Sequence, residues 1–436
     1  MDERMNTPHI LYEDNHLLVV EKPENLPVQA DASGDGDLLT LLKAYIKEKY
    51  QKPGDVYLGL VHRLDRPVGG VMVFARTSKA AARLTAQFKD RRAKKRYAAI
   101  VEGDPKPSSE CTDWLFKDEA TNTTRVVKED TVGAKRACLR YQTLAKAEGT
   151  ALLDVELFTG RPHQIRVQLS SRNLPIVGDM RYHPNAKAGT QIRLWSYMLT
   201  VMHPTLNEPM TFYSIPPWTE FPAALKLLPA QSVCSGVYID DELLVVDKKA
   251  GAEVEGELLG ELTALFDPLY PVHRLDANTE GLVVFARTEA ARDRLLDAFY
   301  RHETEKIYHA VTVGCPKEGR AVHYAKKDAD GAVVRLCAKD DPDALRMESE
   351  IRVLKRFGAL ALCEIRLLTG RTHQIRVQTA ALGTPVLGDD KYGDREANKR
   401  YRRRRQCLIA KRLTVLGKTF ESIRDFEPND FTEEKR

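Results

Sequence analysis

Short apolar runs bounded by polar or turn-forming residues recur along the chain at the lengths of buried strands. Residues 71–75 are such a run, and residues 56–64, 96–101 and 151–157 read as further strands or extended approaches. Pro67, Gly69 and Gly70 mark a turn ahead of residue 71, which puts Asp65 at a strand end. Thr77 can cap a helix whose Ala81, Leu84 and Phe88 follow an i, i+3, i+7 stripe, and Thr288 opens an equivalent helix bearing Leu295 and Phe299. Residues 44–54 read as helix and loop, Gly160 as a break, and residues 163–171 as the start of a helix. Strand-end loops and helix N-termini are good places for chemistry.

The pattern is written twice. Val61-His62-Arg63-Leu64-Asp65 returns 211 residues later as Val272-His273-Arg274-Leu275-Asp276, each followed by an apolar strand-like segment. Lys95-Arg96-Tyr97 returns as Lys306-Ile307-Tyr308 at the same offset. Thr159-Gly160-Arg161-Pro162-His163-Gln164-Ile165-Arg166 returns as Thr369-Gly370-Arg371-Thr372-His373-Gln374-Ile375-Arg376 at an offset of 210. Upstream, Leu17-Leu18-Val19-Val20-Glu21-Lys22 matches Leu243-Leu244-Val245-Val246-Asp247-Lys248 at 226, so the second copy lacks about 15 residues before its aspartate motif. Residues 214–235, with three early prolines, read as a linker or a closing strand plus linker. The pattern predicts two domains, 1–229 and 230–436, and a chain of 436 residues is longer than a single core usually serves.

Composition narrows the class. With 43% apolar and 30% charged residues the chain suits an ordinary globular protein. No run is long enough to span a membrane and the N-terminus does not resemble a secretory signal, so a cytoplasmic protein without a membrane partner is expected. Seven cysteines are scattered without a CxxC pair or metal-ligand spacing, so free thiols and no metal are expected. A net charge of +5 permits a polyanionic partner without requiring one.

An aspartate between arginines on a turn is more often a salt-bridged structural residue than a catalyst. Here, however, the acid, a Lys-x-Tyr and an Arg-x-His-Gln-Ile-Arg persist in both copies within diverged surroundings. Polar residues kept on loops are hard to explain by packing. Arginines of the third motif could balance the carboxylate, and an aromatic side chain on a neighbouring strand could stack on a base.

These motifs resemble those of the RluA-type pseudouridine synthases: His-Arg-Leu-Asp, a Lys-x-Tyr strand and Thr-Gly-Arg-x-His-Gln-Ile-Arg, together with the opening residues 14–23 and 241–251 and the later Gly178-Asp179 and Gly388-Asp389. The resemblance covers nearly the whole chain. It implies an α+β fold, each half a mixed, largely antiparallel sheet flanked by helices with a central cleft. It implies an enzyme that isomerises uridines in ribosomal or transfer RNA, without metal or other cofactor, and fusion suggests a monomer. Asp65 and Asp276 match the carboxylates that initiate glycosidic cleavage, after which uracil turns and rejoins through carbon 5. Tyr97 and Tyr308 match the tyrosine that stacks on the base, with the late proton removal assisted by that tyrosine or by water, and Arg166 and Arg376 match the arginine that pairs with the aspartate. Arg63 and Arg274 are candidates to fill the gap left by a flipped base. Arg161, Arg371, His163 and His373 would organise the motif or contact RNA phosphate, a structural hydrogen-bonding role being favoured for each histidine.

Departures from the family pattern sit beside the aspartates. Val68-Gly69-Gly70 and Thr279-Glu280-Gly281 stand where hydroxyl-rich Thr-Ser-Gly or Thr-Thr-Gly is common, and Lys22-Pro23 becomes Lys248-Lys249. If one copy has drifted towards RNA binding alone, the second is the candidate. Two basic stretches, 89–96 and 399–405, could track phosphates, and Tyr401 within the second could stack on a base or cover apolar surface. Two competing readings are an RNA-binding or assembly protein with one or both repeats silent, which loss of an aspartate would favour, and an unrelated hydrolase or transferase, which would need a nucleophile or metal cluster. Neither feature is present in the sequence.

Overall fold

In the computed structural model, which describes residues 9–31, 34–228, 233–328 and 333–431, the chain separates into two units, Met1–Pro229 and Ala230–Arg436. The first carries β1 (His9–Glu13), β2 (Leu17–Lys22), β3 (Gly59–Leu60), β4 (Gly69–Ala75), β5 (Lys94–Glu102), β6 (Ser108–Asp118), β7 (Thr123–Val127), β8 (Lys135–Ala147), β9 (Thr150–Leu157), β10 (Leu194–Met202) and β11 (Pro209–Tyr213), with helices α1 (Leu38–Lys49), α2 (Ser78–Lys89), α3 (Gln164–Ser170) and α4 (Pro222–Leu225). Its 11 strands form one sheet in the order β1-β2-β4-β10-β5-β9-β8-β6-β7, with β3 also on β4 and β11 also on β10. The second unit carries β12 (Cys234–Ile239), β13 (Leu243–Lys248), β14 (Tyr270–Pro271), β15 (Glu280–Ala286), β16 (Glu305–Val313), β17 (Gly319–Lys327), β18 (Val334–Leu336), β19 (Leu345–Phe357), β20 (Leu360–Leu367), β21 (Leu408–Val415) and β22 (Lys418–Glu421), with α5 (Leu259–Thr263), α6 (Glu289–Tyr300), α7 (Gln374–Ala381) and α8 (Arg395–Arg400). These strands repeat the order as β12-β13-β15-β21-β16-β20-β19-β17-β18. Each unit is thus a mixed, largely antiparallel sheet flanked by helices; the pairings of β4 with β10 and of β15 with β21 are parallel.

Strand alternation builds a core on each face of the first sheet. Leu18, Val20, Met72 and Phe74 face the side covered by Leu38, Leu42 and Ile46 of α1, while Leu17, Val19, Val71 and Val73 face Ala80 and Leu84 of α2. The extended approach predicted over 56–64 contributes only the two residues of β3, because the residues after it turn into the site. On α2 the predicted stripe of Ala81, Leu84 and Phe88 packs on this core, and the inward face is wider by a residue, with Ala80 and Gln87 buried beside it. Gln87 is tolerated inside because its amide pairs with both the N–H and the C=O of Met202 at 2.8 Å. The residues absent from the second copy are felt as a loss of α1, whose place before the aspartate motif is taken by the short turns Val254–Leu258 and α5, which bury Leu258 and Leu262.

The predicted linker is not free chain as far as it is described. Trp218, Ala224, Leu225, Leu227 and Leu228 are buried, and Glu220 accepts from Arg193 Nε at 2.9 Å. A four-residue helix replaces the anticipated closing strand, and residues 229–232 of the predicted linker lie outside the described residues.

The parallel contact accounts for the glycine that both copies keep. Gly70 pairs with Ser196 and Gly281 with Ala410. Both adopt positive φ, 118° and 109°, and a Cβ on either would overlap the backbone of its partner strand. Gly69 is explained differently: a Cβ there would enter the Trp195 ring. In the second unit Ile409 stands opposite that position, and Glu280 fits and pairs with Arg424 at 3.0 Å. Thr279 accepts from the Gln406 side-chain amide, whereas Val68 is buried in the apolar core. The three tryptophans, Trp114, Trp195 and Trp218, all lie in the first unit, so their fluorescence reports its unfolding. Gly70→Ala should lower that unit's stability by about 2–4 kcal/mol, read as an earlier urea midpoint. An unchanged midpoint would show that the strands can part there at no cost.

Candidate active site

Asp65 lies not on a strand but at the start of a turn, its carbonyl accepting the Val68 N–H at 3.0 Å; Asp276 does the same with Thr279 at 2.9 Å. A buried lysine and a half-buried histidine hold each turn. Lys22 reaches across from β2 and donates to the carbonyls of Pro23, Leu26 and Arg66 at 2.9, 2.7 and 2.9 Å. Lys248 donates likewise to Lys249, Ala252 and Ala277 at 3.1, 2.9 and 2.7 Å. The loss of proline after Lys248 therefore leaves the knot intact, since the turn carbonyls do the accepting. Burial pulls the Lys22 ammonium down to about 7, with Asp65 opposing, and that of Lys248 down to about 8. His62 and His273 accept the backbone N–H of Val73 and Val284 at 3.0 and 2.9 Å and stack on Phe88 and Phe299. Burial pushes both imidazoles down to about 3, so they act as neutral acceptors that tie the aspartate motif to the sheet.

The third motif arrives from the opposite side. His163 and His373 adopt φ of 52° and 55° immediately before α3 and α7, which turns the helix so that its arginine points at the aspartate. The reversal is braced by the Gln164 side-chain carbonyl, which accepts from Thr159 Oγ1 at 2.7 Å and from the Arg161 N–H at 3.0 Å. Gln374 repeats this with Thr369 and Arg371 at 2.8 and 3.0 Å.

Between the two motifs stands a charge clamp. Arg166 Nη1 donates to Asp65 at 3.1 Å, while its Nε and Nη2 donate to the two oxygens of Asp179 at 2.8 and 2.6 Å. Arg376 donates to Asp276 at 2.9 Å and to Asp389 at 2.6 and 2.9 Å. Asp179 also accepts the N–H groups of Arg181 and Tyr182. Burial alone would raise its carboxyl, but the Arg166 guanidinium overrides it and holds it below the usual range; Asp389 is held low by Arg376 in the same way. The guanidiniums lie 5.1 and 5.2 Å over the rings of Tyr182 and Tyr392.

Each clamp forms the floor of a cleft. In the first unit Arg63, Asp65, Lys95, Tyr97, Arg161, His163 and Arg166 line it; in the second, a cavity of about 490 Å³ is lined by Arg274, Asp276, Lys306, Tyr308, Arg371, His373 and Arg376. All twelve residues singled out in the sequence as site residues are thereby placed in the two clefts. Arg63 and Arg274 are exposed and, among the described residues, have no ion-pair partner. Tyr97 is buried to 7% exposure; burial, aided by the charge of Asp65, raises its hydroxyl well above the ordinary value, and Tyr308 is shifted likewise by burial and Asp276. Both are therefore neutral phenols near pH 7. The histidines turn inward: His163 Nδ1 meets the Tyr182 hydroxyl at 2.6 Å with Nε2 3.9 Å from Asp65, and His373 meets Tyr392 at 2.9 Å with Nε2 3.8 Å from Asp276. Burial lowers both imidazoles. Each histidine thus makes a structural hydrogen bond within its own unit while lining the cleft. Arg161 spends its Nε on the Arg136 carbonyl at 3.1 Å.

Sequence reasoning assigned no role to Asp179, Asp389, Tyr182 or Tyr392, though each pair recurs at the offset of the third motif. The basic stretches also need correction. Arg96 is not available to phosphate: it forms a two-point ion pair with Asp154, which also accepts from Tyr197 at 2.9 Å. Tyr401 is buried with Leu387, Ala397, Cys407 and Phe431, so it covers apolar surface. Arg403 stacks 4.5 Å over Phe431 and Arg405 donates to the Ala250 carbonyl at 2.8 Å.

Among the described residues no helix is long and apolar enough to cross a membrane. The model of a protein family described as RNA pseudouridylate synthase matches residues 16–171 and again 242–381. The chain is 34% identical over 210 residues to the dual-specificity RNA pseudouridine synthase RluA of Escherichia coli, covering 47% of this chain and 90% of that one. It is 35% identical over 181 residues to ribosomal large subunit pseudouridine synthase D of Zymomonas mobilis, spanning 41% of this chain and 57% of the relative. Among solved structures, human RNA pseudouridylate synthase domain containing 4 superposes with a TM-score of 0.42 at 25% identity, over 50% of this chain and 92% of that one.

Asp179→Asn should leave Arg166, only 7% exposed, short of its main counter-charge, at a cost of about 3 kcal/mol. Because the Asp179 carboxyl is held low, its contribution is present above the ordinary aspartate range near pH ~4 and is lost as pH falls through its depressed value. Urea midpoints of the variant, read by tryptophan fluorescence, should therefore fall at neutral pH and approach wild type in acid. A constant gap across pH would contradict the clamp.

Proposed function

The chain belongs to the RNA pseudouridylate synthase family, and we propose that it isomerises uridines in ribosomal or transfer RNA at two sites, with Asp65 and Asp276 as the catalytic carboxylates. The observation that carries this reading is the repeated clamp: in both clefts one aspartate is presented by a turn and held from behind by an arginine anchored on a second aspartate. The second copy lacks none of these parts, which supports activity in both units over a silent second repeat.

In this reading a uridine is first extruded from its stack, at a cost on the order of a few kcal/mol. The exposed Arg63 or Arg274 takes the vacated place, and Tyr97 or Tyr308 meets the base in the cleft. Asp65 or Asp276 initiates cleavage of the bond between N1 and the sugar. The freed uracil turns and its C5 bonds to the sugar carbon; the C5 proton then leaves and reaches N1 through solvent. With its hydroxyl raised by burial, the tyrosine serves as a stacking surface and donor, so water or the aspartate takes that proton. Arg166 and Arg376 fix the carboxylate's aim, and His163 and His373 act through Tyr182 and Tyr392 as positioning residues.

The test is a map of pseudouridine in total RNA from cells carrying wild-type protein, Asp65→Ala or Asp276→Ala. Each substitution should abolish its own set of sites. If only Asp65→Ala matters, the second unit is an accessory binder; if neither does, the proposal fails. Arg166→Lys should lower kcat at the first set by about 100-fold or more, because one ammonium cannot replace a guanidinium that bridges two carboxylates.

A further inference from the structure

Resting on that reading, we propose that Lys95 and Lys306 form a phosphate-binding subsite in each cleft, holding a backbone phosphate of the RNA strand that presents the uridine. Lys95 stands two residues before Tyr97 on β5, and Lys306 two before Tyr308 on β16, so each lysine shares the strand face of its tyrosine. The residue between the lysine and the tyrosine in the first unit, Arg96, points to the other face and is paired with Asp154. Each ammonium lies over the glycine of the third motif: a Cβ at Gly160 would sit 3.2 Å from Lys95 Nζ, and one at Gly370 3.1 Å from Lys306 Nζ. The strand thus delivers a cation to the wall of the cleft, and the glycine leaves it room.

What sets these lysines apart is the absence of an anion. The other recessed cations of the sites are satisfied, Lys22 and Lys248 by three carbonyls each, Arg166 by the carboxylates of Asp65 and Asp179, and Arg376 by those of Asp276, Asp389 and Asp390. Lys95 and Lys306 have no hydrogen-bond or ion-pair partner among the described residues; Lys306 only lies 5.6 Å from the centre of the Phe299 ring. Burial lowers both ammonium groups with no carboxylate to oppose it. In the first unit further positive charge collects nearby, since Arg161 is lowered by burial and then by Arg91, and both line the same cleft. A partly desolvated cation without a counter-ion costs the fold stability. Recurrence of that cost at the same place in two diverged copies indicates a ligand that supplies the charge. A phosphodiester entering beside the target base does so.

The experiment isolates one site by working in Asp276→Ala protein and compares it with the same protein carrying Lys95→Met, a substitution of similar volume without charge. Binding of a labelled 12-nucleotide oligouridylate is measured against salt, steady-state modification is measured on a stem-loop containing a uridine that depends on Asp65, and melting is followed by tryptophan fluorescence. A phosphate contact predicts a salt slope shallower by about 0.7, the value of one contact to a single strand. It also predicts a KM raised roughly tenfold with kcat little changed, and a melting temperature equal to or above the parent. A lowered melting temperature with unchanged slope and KM would make the lysine structural and overturn the subsite. Failure of the reading itself is distinguishable: the parent would then leave the stem-loop unmodified whatever residue stands at 95, while the oligouridylate slope would still decide the subsite. Lys306→Met in Asp65→Ala protein repeats the binding and modification comparison for the second unit, with melting followed by calorimetry because the three tryptophans lie in the first unit.

Discussion

A buried guanidinium shared between two carboxylates is the interaction on which each cleft depends. Arg166 is 7% exposed and Asp179 1%, so neither charge could remain there alone; each is tolerated because the other is present. The pair also has a direction. With Nε and Nη2 committed to Asp179, the remaining Nη1 is left aiming at Asp65, and the geometry of a rigid planar fork is passed from a sealed carboxylate to one facing the cleft. Arg376, Asp389 and Asp276 repeat the arrangement.

The site requires three pieces of chain far apart in sequence, the aspartate turn, β5 and α3, to meet, and much of the fold serves that meeting. The parallel contact of β4 with β10 brings the aspartate turn against the strand beside β5, which carries the lysine and tyrosine. The knot of Lys22 and the neutral His62 fasten the turn to the sheet from two sides. The left-handed residue at 163 aims α3. Polar groups dominate these fastenings because they sit where backbone carbonyls and N–H groups would otherwise be buried unsatisfied.

The two copies differ where the clamp does not depend on the residue. Exchanging Gly69 for Glu280 follows from Trp195 giving way to Ile409, and exchanging Pro23 for Lys249 changes nothing that Lys248 touches except through a backbone carbonyl. The first copy's α1 and the second copy's shorter turns cover the same stage of the chain with unequal amounts of apolar surface. Conversely, Gly70 and Gly281 have no freedom, because a side chain there would separate the strands that define the site.

By itself the sequence determined the strand and helix runs, because apolar alternation and capping threonines are local signals, and it determined the duplication, because two copies in one chain can be compared position by position. It therefore named the residues that came to line both clefts. It did not determine contacts. That Arg166 grips Asp179 more fully than Asp65, that His163 leans on Tyr182, that Arg96 is spent on Asp154 and that Tyr401 is buried were decided by tertiary structure. In each case the partner lies at a sequence distance or on a strand face that the local pattern does not encode, and a long polar side chain's partner depends on which groups the packed sheet brings within its reach. The same holds for the unpaired lysines, since lack of a counter-ion becomes visible only when everything near them is in place.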